Sequence, residues 1–441
     1  MDARETALRI LLEVERGEKS HIVLQNTWMR HPEISEQDRR FILRLVQGTL
    51  EKRLQLDWRI NQKSRVPVAK MKPVIRNLLR MSAFQLFYMD RVPASAVCNE
   101  AVKLTGRFHM QGLKGFVNGV LRAMAREEAW PEEPLCISSS VPEWILDRWR
   151  TEYGVEALTG LLRSLEEPHR LTVRRVTSRV SEPELLNSLE AEGASVSPAP
   201  FPGDAFQLRV PGKLEELTAY RRGWFQIQDL SSMLVGCLAG IRPGQRVLDV
   251  CAAPGGKSLH AADLLAGTGE VLACDLSEAK AARIRENIAR SGLSNIQAVV
   301  QDATVFVSAW EGQMDVVLAD LPCSGLGVMG RKPEIRYSVT PEQVKELAAL
   351  QRQILANVWR YVRPGGTLLY STCTVTREEN AENRGWILEE LPFRADEFGD
   401  SLPEALQGER SVAEGFLQLL PGMQPCDGFY IARFRRKQCG E

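Results

Sequence analysis

The sequence predicts a multidomain chain of α and α/β class: an all-helical N-terminal bundle, a small α+β middle unit and a doubly wound α/β domain at the C-terminus. Three observations predict it. Apolar residues recur at helical spacing through residues 1–130. The period shortens to that of a strand near residue 171. From about residue 225, short apolar runs alternate with helical stretches of about 10–15 residues. With 441 residues the chain has room for several such units.

In residues 1–130, Ala7, Leu8, Leu11, Leu12 and Val14 open an amphipathic repeat. Phe41, Ile42, Leu45, Val46 and Leu50 continue it, followed by Val74, Leu78, Leu79, Met81, Phe84, Leu86 and Phe87. Breaks are expected at His31-Pro32, Val66-Pro67 and Val92-Pro93, because the residue before a proline disfavours helix. Short connections between such stripes make a small bundle. A stretch rich in Pro, Glu and Ser, from Trp130 to Ser140, reads as a linker, and residues 131–165 continue as helix around Trp144, Ile145 and Trp149. Residues 166–230 form the α+β unit, with strands at Leu171–Val176 and Phe206–Val210 around a helix at 182–192.

Residues 231–441 carry the α/β pattern. Strands are expected at Arg246–Val250, Glu270–Asp275, Ile296–Val300, Met314–Ala319 and Thr367–Thr372, with helices from about 257, over 278–290 and over 341–362. In an open parallel sheet, ligands bind outside the carboxyl ends of the strands. Asp249, Asp275, Asp302, Asp320 and Cys373 all fall at or just after such ends.

Composition excludes several classes. No apolar run approaches the about 18 residues of a membrane span, and the first residues lack the apolar core of a signal peptide, so a cytoplasmic protein is expected. The nine cysteines (98, 136, 237, 251, 274, 323, 373, 426 and 439) include no CxxC pair, and the five histidines are scattered. Neither a disulfide framework nor a metal site is expected. Lys+Arg and Asp+Glu balance at 56 each, but residues 1–130 carry 23 basic against 14 acidic residues, a net of +9. That half is the candidate for polyanion contact.

The run Asp249-Val250-Cys251-Ala252-Ala253-Pro254-Gly255-Gly256-Lys257-Ser258 turns from strand to helix through small residues, so backbone can approach a ligand closely. A phosphate loop would need glycine at 251, where cysteine stands, and Pro254 removes a donor. An adenosine-containing cofactor fits better. Asp275 is placed to accept from ribose hydroxyls and Asp302 lies in reach of an adenine, although an Asp in such a turn also serves as a helix cap. Two further blocks, Asp320-Leu321-Pro322-Cys323-Ser324-Gly325 and Tyr370-Ser371-Thr372-Cys373-Thr374, each set a cysteine just past a strand end. A cysteine near a cation or helix N-terminus becomes a nucleophile. A Cys-His hydrolase is disfavoured, since His260 is the only histidine in this half and lies inside a helix.

These blocks, with Gln228-Asp229-Leu230-Ser231-Ser232 before them, the continuation to Tyr337, the run Thr374 to Asn380 and Asp427-Gly428-Phe429-Tyr430, resemble the RNA 5-methylcytosine methyltransferases that use S-adenosylmethionine. The resemblance covers about residues 165–435, in family order. Residues 1–130 resemble the NusB-like helical RNA-binding domain, a combination typical of the branch acting on bacterial 16S (small-subunit) ribosomal RNA. Departures are small: Leu321 replaces the usual Ala, and Lys280 stands where arginine is common.

The resemblance implies a Rossmann-like methyltransferase domain. It implies Cys373 as the nucleophile on cytosine C6, Cys323 as an aid to proton removal and release, and Asp320 on the N3/N4 edge of the base. Cys251, Ala252, Ala253, Pro254, Gly255, Gly256 and Lys257 would surround S-adenosylmethionine, with Asp275, Lys280, Asp302 and Asp320 completing its site. Lys257 has two equal readings, a reach to the catalytic centre or an RNA phosphate on one side and a solvated helix-start lysine on the other. Arg331, Lys332 and Arg336 are candidates for RNA phosphates. The implied partner is ribosomal RNA, protein-free or early in assembly, bound by a monomer. Two alternatives are action on transfer RNA and a non-catalytic RNA-binding module.

Overall fold

The computed structural model describes residues 2–168, 170–407 and 409–438, so Cys439 lies outside the described residues. The chain forms two compact units: residues up to Leu158 together with Arg331–Val339, and Thr159–Gly330 together with the chain from Thr340 onward.

The first unit is helical: α1 (Ala3–Glu15), α2 (Ser20–Arg30), α3 (Glu36–Glu51), α4 (Arg53–Lys63), α5 (Pro73–Tyr88), α6 (Ala94–Arg107) and α7 (Lys114–Ala125). Three of the starts have a local cause. The Asp2 side chain accepts from Arg4 N–H at 2.9 Å, Ser35 Oγ accepts from Asp38 N–H at 3.1 Å, and Pro73 occupies the first turn of α5. The apolar stripes meet in one core of Leu8, Leu11, Ile42, Leu45, Leu78, Phe84 and Leu121, all buried.

Within the stretch Trp130–Ser140, expected as a linker, Pro131, Glu132, Pro134 and Leu135 are exposed, while Trp130 packs onto this core. Trp130 lies against Phe87 and Trp58, Arg59 pairs with Glu133 at 2.8 Å, and the chain turns through α8 (Leu135–Ser138). Then α9 (Glu143–Ser164) breaks at Gly154, whose φ of 82° only glycine adopts readily.

The segment Arg331–Val339 corrects the expectation for Arg336. This side chain is buried in the helical unit and donates to the Glu51 carbonyl at 3.1 Å, at the end of α3, so it is not available to phosphates. Beside it, the Glu334 carboxylate accepts from Ser20 N–H and Oγ at 3.1 and 2.9 Å and caps α2. Arg331 is half-buried and Lys332 is exposed.

In the second unit, β1 (Leu171–Arg175), α10 (Glu182–Ala191), β2 (Ser195–Pro198), β3 (Ala205–Arg209), α11 (Thr218–Arg221) and β4 (Phe225–Ile227) form an antiparallel sheet in the order β2-β3-β1-β4. After α12 (Leu230–Leu238) the α/β domain follows: β5 (Arg246–Asp249), α13 (Gly256–Leu264), β6 (Glu270–Asp275), α14 (Glu278–Ser291), β7 (Ile296–Val300), β8 (Met314–Asp320), α15 (Ile335–Ser338), α16 (Pro341–Val358) and β9 (Val362–Thr372). The chain ends with α17 (Ala381–Glu390), β10 (Phe393–Ala395), β11 (Phe416–Leu419) and β12 (Phe429–Arg436).

The strand order is β10-β12-β9-β8-β5-β6-β7, parallel from β9 to β7, with β12 antiparallel to β9, β10 and β11. The last three strands were not expected. Val247, Leu318, Leu369 and Ile431 pack on one face and Leu248, Val317, Leu368 and Tyr370 on the other. Period-2 alternation puts apolar side chains on both faces of a doubly covered sheet.

The middle sheet is fastened to α13 by a buried ion pair. Arg174 on β1 donates to Asp263 at 2.8 Å, both about 1% exposed, and Asp263 also accepts from Thr177 N–H, Ser178 N–H and Ser178 Oγ. An unpaired charge so buried would cost several kcal/mol, so the shared hydrogen bonds are what make it tolerable. Thus the sheet whose role the sequence leaves open braces the helix that begins at the glycine turn.

Candidate active site

Strand order turns the sequence motifs into a row along one edge of the sheet. Cys373 follows β9, Asp320 ends β8 with Cys323 just beyond, Asp249 ends β5, Asp275 ends β6 and Asp302 follows β7. Neighbouring strands lie about 5 Å apart, so the row spans two adjoining sites: thiols and Asp320 at one end, Asp275 and Asp302 at the other.

At the first end, parallel pairing of β8 with β9 sets Asp320 beside Ser371. Ser371 Oγ donates to Asp320 Oδ1 at 2.8 Å, and Lys257 Nζ donates to Oδ2 at 2.7 Å. Lys257 is therefore a largely enclosed partner of Asp320 and not a solvated helix-start lysine. Burial pulls its ammonium down, but the Asp320 charge and hydrogen bond, with smaller contributions from Cys373 and Asp249, hold it above the ordinary lysine value. Its Nζ also lies 5.3 Å from the Phe429 ring centre, where the ring face favours a cation.

Cys323 and Cys373, fifty residues apart, bring their sulfurs to 3.3 Å. The Cys323 thiol is held well above its usual range, first by the hydrogen bond with Cys373 and then by burial. The Lys257 ammonium interacts electrostatically with the Cys373 sulfur, so the two thiols of the pair sit in unequal surroundings.

Gly327 closes the loop after Cys323. Its N–H donates to the Cys373 carbonyl at 3.2 Å and its own carbonyl accepts from Gly428 N–H at 2.9 Å. A Cβ there would meet the Gly428 oxygen at 2.2 Å, so only glycine lets the three loops meet.

Asp249 is buried under the glycine turn. Its Oδ2 accepts from Ser258 Oγ at 2.6 Å, yet burial outweighs that bond and pushes its carboxyl up to about 7. Cys251 and Cys274 are likewise raised by burial, Cys274 to about 12, and serve as packing rather than nucleophiles.

At the second end, Asp275 accepts from Ala253 N–H at 2.9 Å and from Leu276 N–H at 2.8 Å, and Lys280 pairs with it at 2.8 Å. Asp302 accepts from Thr304 N–H and Oγ1, which lower its carboxyl below the usual range. Cys251 to Lys257 run between the two ends, with Gly255 at φ +107°. Leu276, Val300 and Val305 are exposed apolar side chains at the ends of β6 and β7. A carboxylate has about four acceptor positions, so Asp275 keeps capacity for a ribose hydroxyl. Acceptors for a ribose, exposed apolar surface for a base and a turn without side-chain bulk fit an adenosine-type cofactor. Among the described residues no cluster of His, Cys, Asp and Glu could hold a metal, and no helix is long and apolar enough to cross a membrane.

Sequence reasoning missed three contributors. Ser371 holds Asp320 and Phe429 flanks Lys257, both inside motif blocks whose individual side chains carried no signal. Glu379, wholly buried behind the cysteines, stood within the Thr374–Asn380 block without a role.

Comparison with known proteins agrees with this architecture. Residues 237–435 match the family described as 16S rRNA methyltransferase RsmB/F, residues 1–126 match the NusB family, and residues 141–215 match the RsmF/B-like ferredoxin-like domain. A "Probable ribosomal RNA small subunit methyltransferase B" of Bacillus subtilis is 36% identical, covering 98% of both chains. A "Ribosomal RNA small subunit methyltransferase B" of Cronobacter sakazakii is 33% identical over 96% of each. Among solved structures, one titled "Crystal Structure of PH0851" has the same fold at a TM-score of 0.86, 22% identity and 99% coverage of each chain. NSun6 of Pyrococcus horikoshii, solved with SFG, matches at TM-score 0.58 and 22% identity, over 67% of this chain and 98% of its own. By its relatives over nearly its whole length, the chain belongs to the RsmB/F family of 16S ribosomal RNA methyltransferases.

Proposed function

We propose that the protein methylates C5 of a cytosine in small-subunit ribosomal RNA through a covalent bond between Cys373 and cytosine C6. The observation that carries this reading is the 3.3 Å approach of the two sulfurs beside the Lys257–Asp320 pair. Cytosine C5 is a poor nucleophile, and attack at C6 converts the ring to an enamine whose C5 is a good one. That attack is assigned to Cys373, which follows β9 and interacts electrostatically with the Lys257 ammonium. Asp320, fixed by Ser371 and Lys257, hydrogen-bonds the N3/N4 edge, and Lys257 brings the positive charge that offsets negative charge developing on the ring. Residues 251–257, Asp275, Lys280 and Asp302 would hold S-adenosylmethionine, which would supply the electrophilic methyl group and leave as S-adenosylhomocysteine.

Release needs the C5 proton removed. Once the Cys373 sulfur is bonded to carbon, Cys323 gives its own proton to solvent and becomes the available base. Cys323 then takes the C5 proton, the C5–H electrons re-form the C5–C6 double bond, and the C6–S bond breaks with its electron pair leaving on Cys373 as thiolate. The target base cannot be reached inside a helix, so it enters single-stranded or flipped.

The test is methyl transfer from labelled donor to protein-free small-subunit ribosomal RNA, followed by digestion to nucleosides. Label in 5-methylcytidine is expected. Label in another nucleoside would overturn the chemistry, and label in transfer RNA alone would overturn the substrate.

A further inference from the structure

Behind the thiols lies a buried carboxyl group that the mechanism does not use. Glu379 is fully buried in the turn between β9 and α17. Its Oε1 accepts from Ser324 N–H at 2.8 Å and Gln351 Nε2 at 3.1 Å, and its Oε2 accepts from Ser324 Oγ at 2.5 Å and Thr376 Oγ1 at 2.7 Å. No Lys, Arg or His pairs with it among the described residues. A carboxyl group placed so deep is costly unless its donors are fixed, and here the donors come from the loops that carry the chemistry.

Ser324 directly follows Cys323, and Thr374 directly follows Cys373. The Ser324 hydroxyl spends its one proton on Glu379, so at the 2.7 Å contact between Ser324 Oγ and Thr374 Oγ1 it is Thr374 that donates. Gln351 on α16 reaches the other side of the first cysteine, donating to the Pro322 carbonyl at 2.9 Å. Its Oε1 is in turn fixed by Tyr370 at 3.0 Å and Asn383 at 2.7 Å. The residues just before and just after Cys323, and the residue just after Cys373, thus hang on one buried acceptor.

We propose that Glu379 is the positioning residue that sets the spacing of the two thiols. The assignment rests on the two-thiol reading above. Glu379 touches neither base nor cofactor, and it acts by holding both cysteine loops against one carboxyl group. Displacing reacting atoms by about 1 Å costs on the order of a hundredfold in rate, which is the scale expected when both loops are released together.

The test compares wild type with E379A, E379Q, S324A and C373A on protein-free small-subunit ribosomal RNA. It reads kcat, KM for RNA, S-adenosylmethionine affinity by calorimetry and Tm. E379A is expected to lower kcat about a hundredfold while KM and cofactor affinity stay within about threefold. E379Q is expected to recover most of the turnover: its amide oxygen can keep the two N–H donors, and its amino group can face the two hydroxyls, which are able to accept. S324A, which cuts one of the linkages, is expected to lower kcat about tenfold.

Should E379A fail to fold, E379Q with near-native turnover beside slowed S324A still supports the assignment, and S324A at the wild-type rate overturns it. Wild-type turnover in E379A overturns it too, as does a loss of kcat matched by equal losses of cofactor affinity and Tm, which would mark a merely structural residue. C373A separates the two readings. Methyl transfer by C373A sinks the two-thiol mechanism itself, whereas an inactive C373A beside a fully active E379A sinks only the positioning role.

Discussion

In the helical unit Arg80 lies between two carboxylates, donating to Asp57 at 2.6 Å and to Glu15 at 3.2 Å, with Arg76 completing the Glu15 pair at 2.8 Å. In the α/β unit Lys257 is also largely enclosed, yet its partner Asp320 sits at a strand end beside two thiols. Both are hydrogen-bonded pairs of opposite charge, and distance alone does not tell them apart. Their neighbours do. Around Arg80 the carboxylates of Asp57 and Glu15 are paired and burial is offset by three ionic bonds, although neighbouring Arg53 is pulled below its usual value by burial and by the Arg80 charge. Around Lys257 the charges outnumber their partners: Asp249 is forced up to about 7, and a thiol is forced up beside a second sulfur. Perturbed groups gathered in one place mark chemistry, while satisfied ones mark architecture.

Substitution of the two cations breaks or sharpens that contrast. R80M takes the guanidinium from half-buried Asp57 and from one side of Glu15, and is expected to destabilise the helical unit by about 3 kcal/mol, read by denaturant unfolding. Cofactor affinity should not move; a variant of native stability would remove the architectural reading. K257M is expected to do the converse. It should lower kcat/KM about a hundredfold, or about 2.7 kcal/mol of transition-state stabilisation, and shift Tm little. Equal losses of stability in both variants would erase the distinction.

A smaller effect tests the raised carboxyl. Asp249 in the folded chain has a pKa of about 7 against the usual 3.8. Between those values the folded protein keeps a proton that the unfolded chain releases, so its contribution falls as pH rises through that window. D249N removes the dependence. The stability of wild type relative to D249N should therefore decline by up to about 1.4 kcal/mol per pH unit from pH 4.5 to 7, and parallel curves would contradict it.

The smallest effect concerns the basic surface of the helical unit. Lys70 and Lys72 are exposed. The double variant K70A/K72A should weaken RNA binding evenly across sequences and reduce the salt slope of affinity by about two. An unchanged slope would place the RNA elsewhere.

How much of this was legible in the sequence depended on whether a residue's role was local. Asp249, Asp275, Asp320, Cys323 and Cys373 follow short apolar runs, and a strand end fixes their location without further knowledge of the fold. Helical period alone gave the N-terminal bundle. The antiparallel addition was not legible, because Phe429–Arg436 interleaves arginines with apolar residues and looks like an exposed edge. In the structure β12 is flanked by strands on both sides, and buried Arg433 meets Asp396 at 2.9 Å.

Arg336 misled for a related reason. A basic residue after a catalytic loop suggests phosphate, but the chain carries it into the helical unit. Glu379 is the hardest case. An acidic residue in a polar turn predicts a solvated surface, and only the convergence of four donors from α16 and both cysteine loops reveals otherwise.

The central claim, that the paired thiols divide attack and release, is tested most directly by trapping the covalent RNA complex. Wild type, C373A and C323A are incubated with small-subunit ribosomal RNA and S-adenosylmethionine and resolved on a denaturing gel. C323A should accumulate a protein–RNA adduct, because attack proceeds and release does not, while C373A should form none and transfer no methyl group. An adduct in C373A and none in C323A would contradict the assignment of the two sulfurs, and methyl transfer by C373A would contradict covalent catalysis at this site.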